Sequence, residues 1–161
     1  MVATFTWQKT AVETAAGSSV KFVVSGDITE LSDFAQLQKE LGPHNELDLA
    51  GVAHVNSTGV RDWMRFMQAV TAAEQRLVLR RCSPSFVNQL NMISRFASDA
   101  EVASVLAPYA CPKCDALAER LLELSKEVDA QVDEPLPCAT CGTPMMFDDL
   151  PATYFAFLKG R

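Results

Sequence analysis

Four of the five cysteines come in two short pairs, Cys111-Pro112-Lys113-Cys114 and Cys138-Ala139-Thr140-Cys141, with 23 residues between them. The fifth, Cys82, stands alone. An odd count with no secretion signal ahead of it argues against a disulfide framework. In a reducing compartment two thiolate pairs supply the four soft ligands of a closed tetrahedral site. The expectation is one structural Zn²⁺ per chain, held by Cys111, Cys114, Cys138 and Cys141. Gly142 directly follows the second pair, where the backbone of such a knuckle turns tightly. The rival reading makes the pairs redox-active dithiols. A site closed by four cysteines leaves no position open for catalysis, so its expected role is to staple the chain.

The segment between the pairs reads as a helix from Asp115 to Val128, with Leu117, Leu121, Leu124 and Val128 at i, i+4, i+7 and i+11. Asp115 and Glu119 would lie in or near its first turn, where negative charge is favourable. Pro135-Leu136-Pro137 returns the chain to the second pair. Met145-Met146-Phe147 and Tyr154 to Leu158 would then be strands of a zinc ribbon. The leucine stripe is expected to pack on the rest of the chain, and a homodimer helix is the second reading.

Charge separates this region from what precedes it. Residues 99–161 hold five basic and eleven acidic side chains, so they carry the whole net charge of −6. Such a region repels phosphate backbones and favours basic protein surfaces, which excludes nucleic acid as the expected partner. The longest apolar stretch near the middle, Val102 to Pro112, is far short of the ~20 residues a membrane helix needs. The N-terminus has neither a basic region nor a long apolar run, so the expected location is cytoplasmic.

The first 110 residues alternate strands and helices. Thr4 to Gln8 and Val20 to Ser25 are β-rich and flank the turn-prone stretch 15–19. Ser32 and Asp33 offer caps for a helix with Phe34, Leu37 and Leu41 on its apolar face, stopped by Gly42-Pro43. Glu46 to Val52 reads as a strand, and Val60, Trp63, Met64, Met67 and Val70 mark one face of the next helix. Leu77 to Cys82 is a further strand. Ser83-Pro84 starts a helix that buries Phe86, Val87, Leu90 and Ile93. Val102 to Leu106 is the last strand. Cys82 is expected to be a buried core thiol. This order implies an α/β (α+β) fold, a mixed sheet with helices packed on one face. The domains expected are residues 1–108 and a four-cysteine zinc-binding module over 109–161 with the inserted helix.

Asn56-Ser57-Thr58-Gly59 sits between a strand and a helix, where short polar side chains cap orphan N–H groups and anions are also favoured. His54 reads as an ordinary loop histidine, because no nucleophile–base–orienter set is legible around it. Three stretches together resemble the STAS domain of bacterial anti-sigma factor antagonists. They are Val23-Val24-Ser25-Gly26-Asp27-Ile28, Leu47 through Asn56-Ser57-Thr58-Gly59-Val60, and Leu77-Val78-Leu79 with Ser83-Pro84-Ser85-Phe86-Val87. The likeness runs from about Val20 to Leu106, and Asn56 stands where the family has Asp. The resemblance implies a non-enzymatic, phosphorylated signalling protein. It would bind a GHKL-type Ser/Thr kinase that is also an anti-sigma factor, with Ser57 as the phosphorylated residue of the partner-binding loop 56–59. The alternatives are an unphosphorylated STAS interaction or scaffold protein for another signalling partner and, from the cysteine pairs, a thiol redox protein.

Overall fold

A computed structural model describes residues 1–15 and 17–160; Ala16, in the expected turn 15–19, lies outside the described residues. The elements run β1 (Thr6–Thr14), β2 (Gly17–Ser25), α1 (Phe34–Glu40), β3 (His44–Gly51), α2 (Ser57–Ala72), β4 (Arg76–Arg80), α3 (Pro84–Met92) and β5 (Glu101–Val102). There follow β6 (Ser104–Ala110), β7 (Leu117–Glu123), α4 (Val128–Asp133), β8 (Met146–Phe147), α5 (Pro151–Tyr154) and a final 3₁₀ turn, Ala156–Gly160. The protein is a mixed α/β fold. Its order through β5 is the one that the alternation of strand and helix patterns predicts.

The first sheet has the order β1-β2-β3-β4-β5; only β1 and β2 are antiparallel. The parallel strands follow one another in chain order, so right-handed crossovers deliver α1, α2 and α3 to the same face. Burial agrees. Phe22, Val24, Leu47, Leu49, Leu77 and Leu79 alternate into the core, while the opposite face pairs Arg80 with Glu46 at 3.1 Å and Lys21 and Arg81 with the buried Asp48 at 3.6 and 3.1 Å.

The helices begin where their caps predict. Asp33 accepts from the Gln36 N–H at the start of α1, and Ser83 accepts from the Phe86 N–H with Pro84 next to it at the start of α3. The buried stripe of α2 is Trp63, Phe66, Met67 and Val70, with Gly59 at its head. Phe66 thus enters a face where periodicity placed Val60 and Met64, which are half-buried. Trp63 is the hub of an aromatic cluster with Phe34, Phe66, Phe86 and Phe96, and its indole N–H donates to the Phe96 carbonyl at 2.9 Å.

Three expectations for the second half are corrected. Residues 115–128 are not one helix. β7 occupies Leu117–Glu123 and pairs antiparallel with β6 over its whole length, and only Val128–Asp133 is helical. The leucines fit either period locally, because 117 and 121 share a face in a strand as they do in a helix. The knuckle decides: its closing hydrogen bond, Cys111 N–H to Ala116 C=O, continues straight into the Ala110–Leu117 pair. Tyr154 to Leu158 is likewise no strand but the end of α5 and the 3₁₀ turn, with Pro151 at the first helical position. The predicted strand over Val102 to Leu106 breaks at Ala103. β5 stays in the first sheet, and β6 starts the second, β7-β6-β8, so the expected boundary at 108–109 falls inside β6.

The two sheets are joined through this break. Ala103 donates to the Leu79 carbonyl, Leu124 donates to the Ala103 carbonyl, and Cys82 bridges to Val105. Val105, Tyr109, Cys111, Leu122, Cys138, Met145, Tyr154 and Phe155 belong to the same buried cluster as Phe22, Leu47 and Trp63.

Candidate functional site

The two knuckles are built alike. Cys111 N–H donates to the Ala116 carbonyl at 2.8 Å, and Cys138 N–H donates to the Thr143 carbonyl at 2.9 Å. Asp115 N–H returns to the Cys111 carbonyl, and Gly142 N–H to the Cys138 carbonyl, at 3.0 and 2.8 Å. The residue after the second cysteine has left-handed backbone in both, φ +57° at Asp115 and +73° at Gly142. Gly142 is legible in the sequence as this turn. Asp115 is not, because its side chain also suits a helix start; aspartate is one of the few other residues that adopt this conformation readily.

The hairpins face each other. The sulfurs of Cys111, Cys114, Cys138 and Cys141 all lie within 4.8 Å of one another. Across the knuckles, Cys111 Sγ lies 3.5 Å from Cys141 Sγ and Cys114 Sγ lies 3.6 Å from Cys138 Sγ. A disulfide has its sulfurs about 2.05 Å apart, and all four thiols are free. Four thiolates about 2.3 Å from a central ion stand about 3.8 Å apart at tetrahedral angles. The quartet is therefore close enough to hold a metal ion, and its donors are those of a closed site.

Local hydrogen bonds prepare some of the thiolates. The N–H groups of Cys141 and Thr140 pull the Cys138 thiol down to about 6, and the Thr143 hydroxyl and N–H lower that of Cys141. The Ala116 N–H acts the same way on Cys114, but the neighbouring sulfurs and desolvation together overcome it and hold that thiol protonated up to about 12. Sulfurs this close do not all ionise unless a cation sits among them. Cys111 and Cys138 are buried and Cys114 is exposed, so the quartet has one side in the core and one toward solvent.

Loop 56–59 lies at the C-terminal end of the parallel strands. Ile28 N–H donates to the His54 carbonyl, and Asn56 N–H donates to the Ile28 carbonyl. These bonds seat the start of α2 against the β2–α1 loop. The N-cap is Asn56, whose Oδ1 accepts from Gly59 N–H at 2.7 Å and whose Nδ2 donates to Glu30 at 2.8 Å. Gly59 is buried, and a Cβ there would sit 2.1 Å from the Ile28 carbonyl oxygen. Ser57 is exposed at the first helical position, and Thr58 is half-buried. Among the described residues none makes a hydrogen bond to the Ser57 hydroxyl.

Tertiary structure adds an orienting group that sequence alone does not reveal. The Nδ1 of His54 lies 3.3 Å from Asp27 Oδ1, and Asp27 is only 4% exposed. The Ala3 N–H donates to the other carboxylate oxygen at 3.0 Å and, with His54, holds the Asp27 carboxyl below the usual aspartate range. The pairing spans 27 positions, so only the strand order makes it visible. Glu30 is also lowered, by the amide of Asn56.

Compared with known proteins, the chain matches no family model, and no curated protein and no solved structure matches it. No helix among the described residues is long and apolar enough to cross a membrane.

Proposed function

We propose that the protein is a STAS-like signalling module that acts by binding rather than catalysis, with a structural Zn²⁺ on its four-cysteine centre and loop 56–59 as its partner-binding face. The partner class is a GHKL-type Ser/Thr kinase that doubles as an anti-sigma factor. Phosphorylation of Ser57 gates the complex.

One observation carries this reading. The capping duty that ordinarily explains a hydroxyl at a helix start is discharged by Asn56, which leaves the exposed Ser57 hydroxyl without a structural task. A phosphoryl group there adds a charge of about −2 to the first turn of α2. The backbone N–H groups of that turn favour it. Glu30 of the β2–α1 loop, held to Asn56, opposes it and so does any acidic surface on the partner. The charge therefore breaks an interface built around a neutral loop. Zinc rather than a redox-active pair is supported by the matched knuckles and by sulfurs of one pair that approach those of the other to 3.5 and 3.6 Å.

Native mass spectrometry of protein purified from its source cells without chelator tests both parts. One zinc and a phosphoryl group on Ser57 are expected, and Ser57→Glu should weaken kinase binding at least tenfold more than Ser57→Ala. Equal affinities of the two variants, with no phosphate under any growth condition, would leave an unphosphorylated scaffold instead. An intramolecular disulfide and no metal would mark a thiol redox protein.

A further inference from the structure

β7 carries an apolar row that the fold does not use. In antiparallel pairs, residues directly opposite one another share a face. Leu117 pairs with Ala110, which pairs with Met146; Leu121 pairs with Leu106. This is the face turned away from Val105, Tyr109 and Leu122, which enter the core. On it Leu117 is 78% exposed, Met146 64% and Leu121 46%. Leu117 and Met146 flank Ala110 across the sheet, and Leu121 lies four residues along β7 with Glu119 between. Three large exposed apolar side chains on one sheet face, set among carboxylates, are the kind of surface that marks an interaction site.

The charges on this face have one sign. Glu119 lies between Leu117 and Leu121 with the same strand parity, and Asp148, two positions beyond Met146, donates its N–H to the Pro108 carbonyl. Both are exposed. Of the two cations between residues 104 and 123, Arg120 has the opposite parity and is paired with Glu134, and Lys113 lies in the first knuckle. The free edge of β7 is guarded where it leaves the sheet. The side-chain amide of Gln131 pairs with both the N–H and the carbonyl of Glu123 at 2.9 and 2.8 Å, as a neighbouring strand would. Strand addition is blocked at that point, and the face is open over Leu117, Glu119 and Met146, while Ser104 and Leu106 on it are buried.

We infer that the outer face of the β7-β6-β8 sheet docks a basic amphipathic segment of a protein partner, with apolar side chains seated on Leu117, Leu121 and Met146 and flanking lysine or arginine meeting Glu119 and Asp148. Charge decides the occupant. A second copy would set the same carboxylates against one another, and nucleic acid or an anionic membrane would meet repulsion without compensation. This surface is separate from loop 56–59 and does not rest on Ser57.

The test uses the metal-loaded full chain and a fluorescein-labelled peptide made of two Leu-Lys-Lys-Leu-Leu-Lys-Lys repeats, with the same peptide carrying Glu for Lys as control, read by anisotropy. The Leu/Lys peptide is expected to bind at least tenfold tighter than the Leu/Glu peptide. Leu117→Ser with Met146→Ser, which leaves every charge in place, should lose at least tenfold. Glu119→Lys with Asp148→Lys should shift the preference toward the Leu/Glu peptide, whereas Glu13→Lys with Glu74→Lys, exposed elsewhere, should not. Equal binding by the Leu117→Ser, Met146→Ser protein overturns the inference, since general acidity would then suffice. So does a monomer–dimer equilibrium in sedimentation that Leu117→Ser abolishes, because a second copy would then own the face.

Discussion

Two glycines hold the two candidate sites by different physics. At Gly59 the backbone is ordinary helix, and the constraint is space, with the Ile28 carbonyl 2.1 Å from where a Cβ would be. At Gly142 there is open space and the constraint is conformation, φ +73°. Gly59→Ala must therefore push α2 off the β2–α1 loop, at a cost of about 3 kcal/mol. Gly142→Ala meets only the left-handed penalty, about 1–2 kcal/mol. Urea unfolding of the metal-loaded protein should rank the two in that order. The reverse order would mean that the second knuckle, not the start of α2, is the tighter constraint.

At the scale of elements, one side chain of α3 makes two hydrogen bonds to the C-terminal turn. Asn91 Nδ2 donates to the Tyr154 carbonyl at 2.9 Å, and Asn91 Oδ1 accepts from Phe157 N–H at 2.8 Å. The Tyr154 hydroxyl, whose ionisation is pushed up by burial, donates to the Leu106 carbonyl at 2.6 Å. Asn91→Ala removes two long-range bonds and strands a carbonyl and an N–H, a loss of about 2 kcal/mol. Limited proteolysis should then cut within residues 155–160 while α3 stays protected. An unchanged cleavage pattern would place the anchoring in Tyr154 and Phe155 alone.

At the scale of the whole molecule, the four-cysteine quartet is coupled to the main core. Metal binding supplies folding energy to the ligands that it gathers, and two of the four cysteines that could hold an ion, Cys111 and Cys138, are members of the cluster that includes Trp63 and Leu47. Removing the metal with a chelator should therefore lower the midpoint of one cooperative transition. Hydrogen exchange should rise most over residues 111–124 and 136–147, less in α3, and least in the β1–β2 hairpin. Two separate transitions, with the first sheet unaffected, would show that the knuckle region folds as an independent unit.

Much of this is readable in the chain before it folds. The hydroxyl and carboxylate caps, the Pro84 start of α3 and the alternation over residues 44–51 and 76–80 are local, and local rules decide them. The cysteine spacing is enough to single out the four sulfurs that the fold brings within 4.8 Å of one another. Asp115 through Glu123 reads falsely as helix because Ala, Leu, Glu and Arg favour helix and the leucine spacing fits both periods. The Asp27–His54 pair escapes a sequence reading because its partners are distant along the chain.

The amino-acid sequence by itself thus determined the element order through β5, the two cysteine pairs that the fold brings together and the position of Ser57 at a helix start. Only the tertiary structure decided that residues 117–123 are a strand, that one buried cluster spans both sheets, and that Leu117 and Met146 share an open face with Glu119. The reason is one of range. Caps and knuckles close over a few residues and carry their own hydrogen bonds, whereas strand pairing and a shared core exist only once distant segments meet.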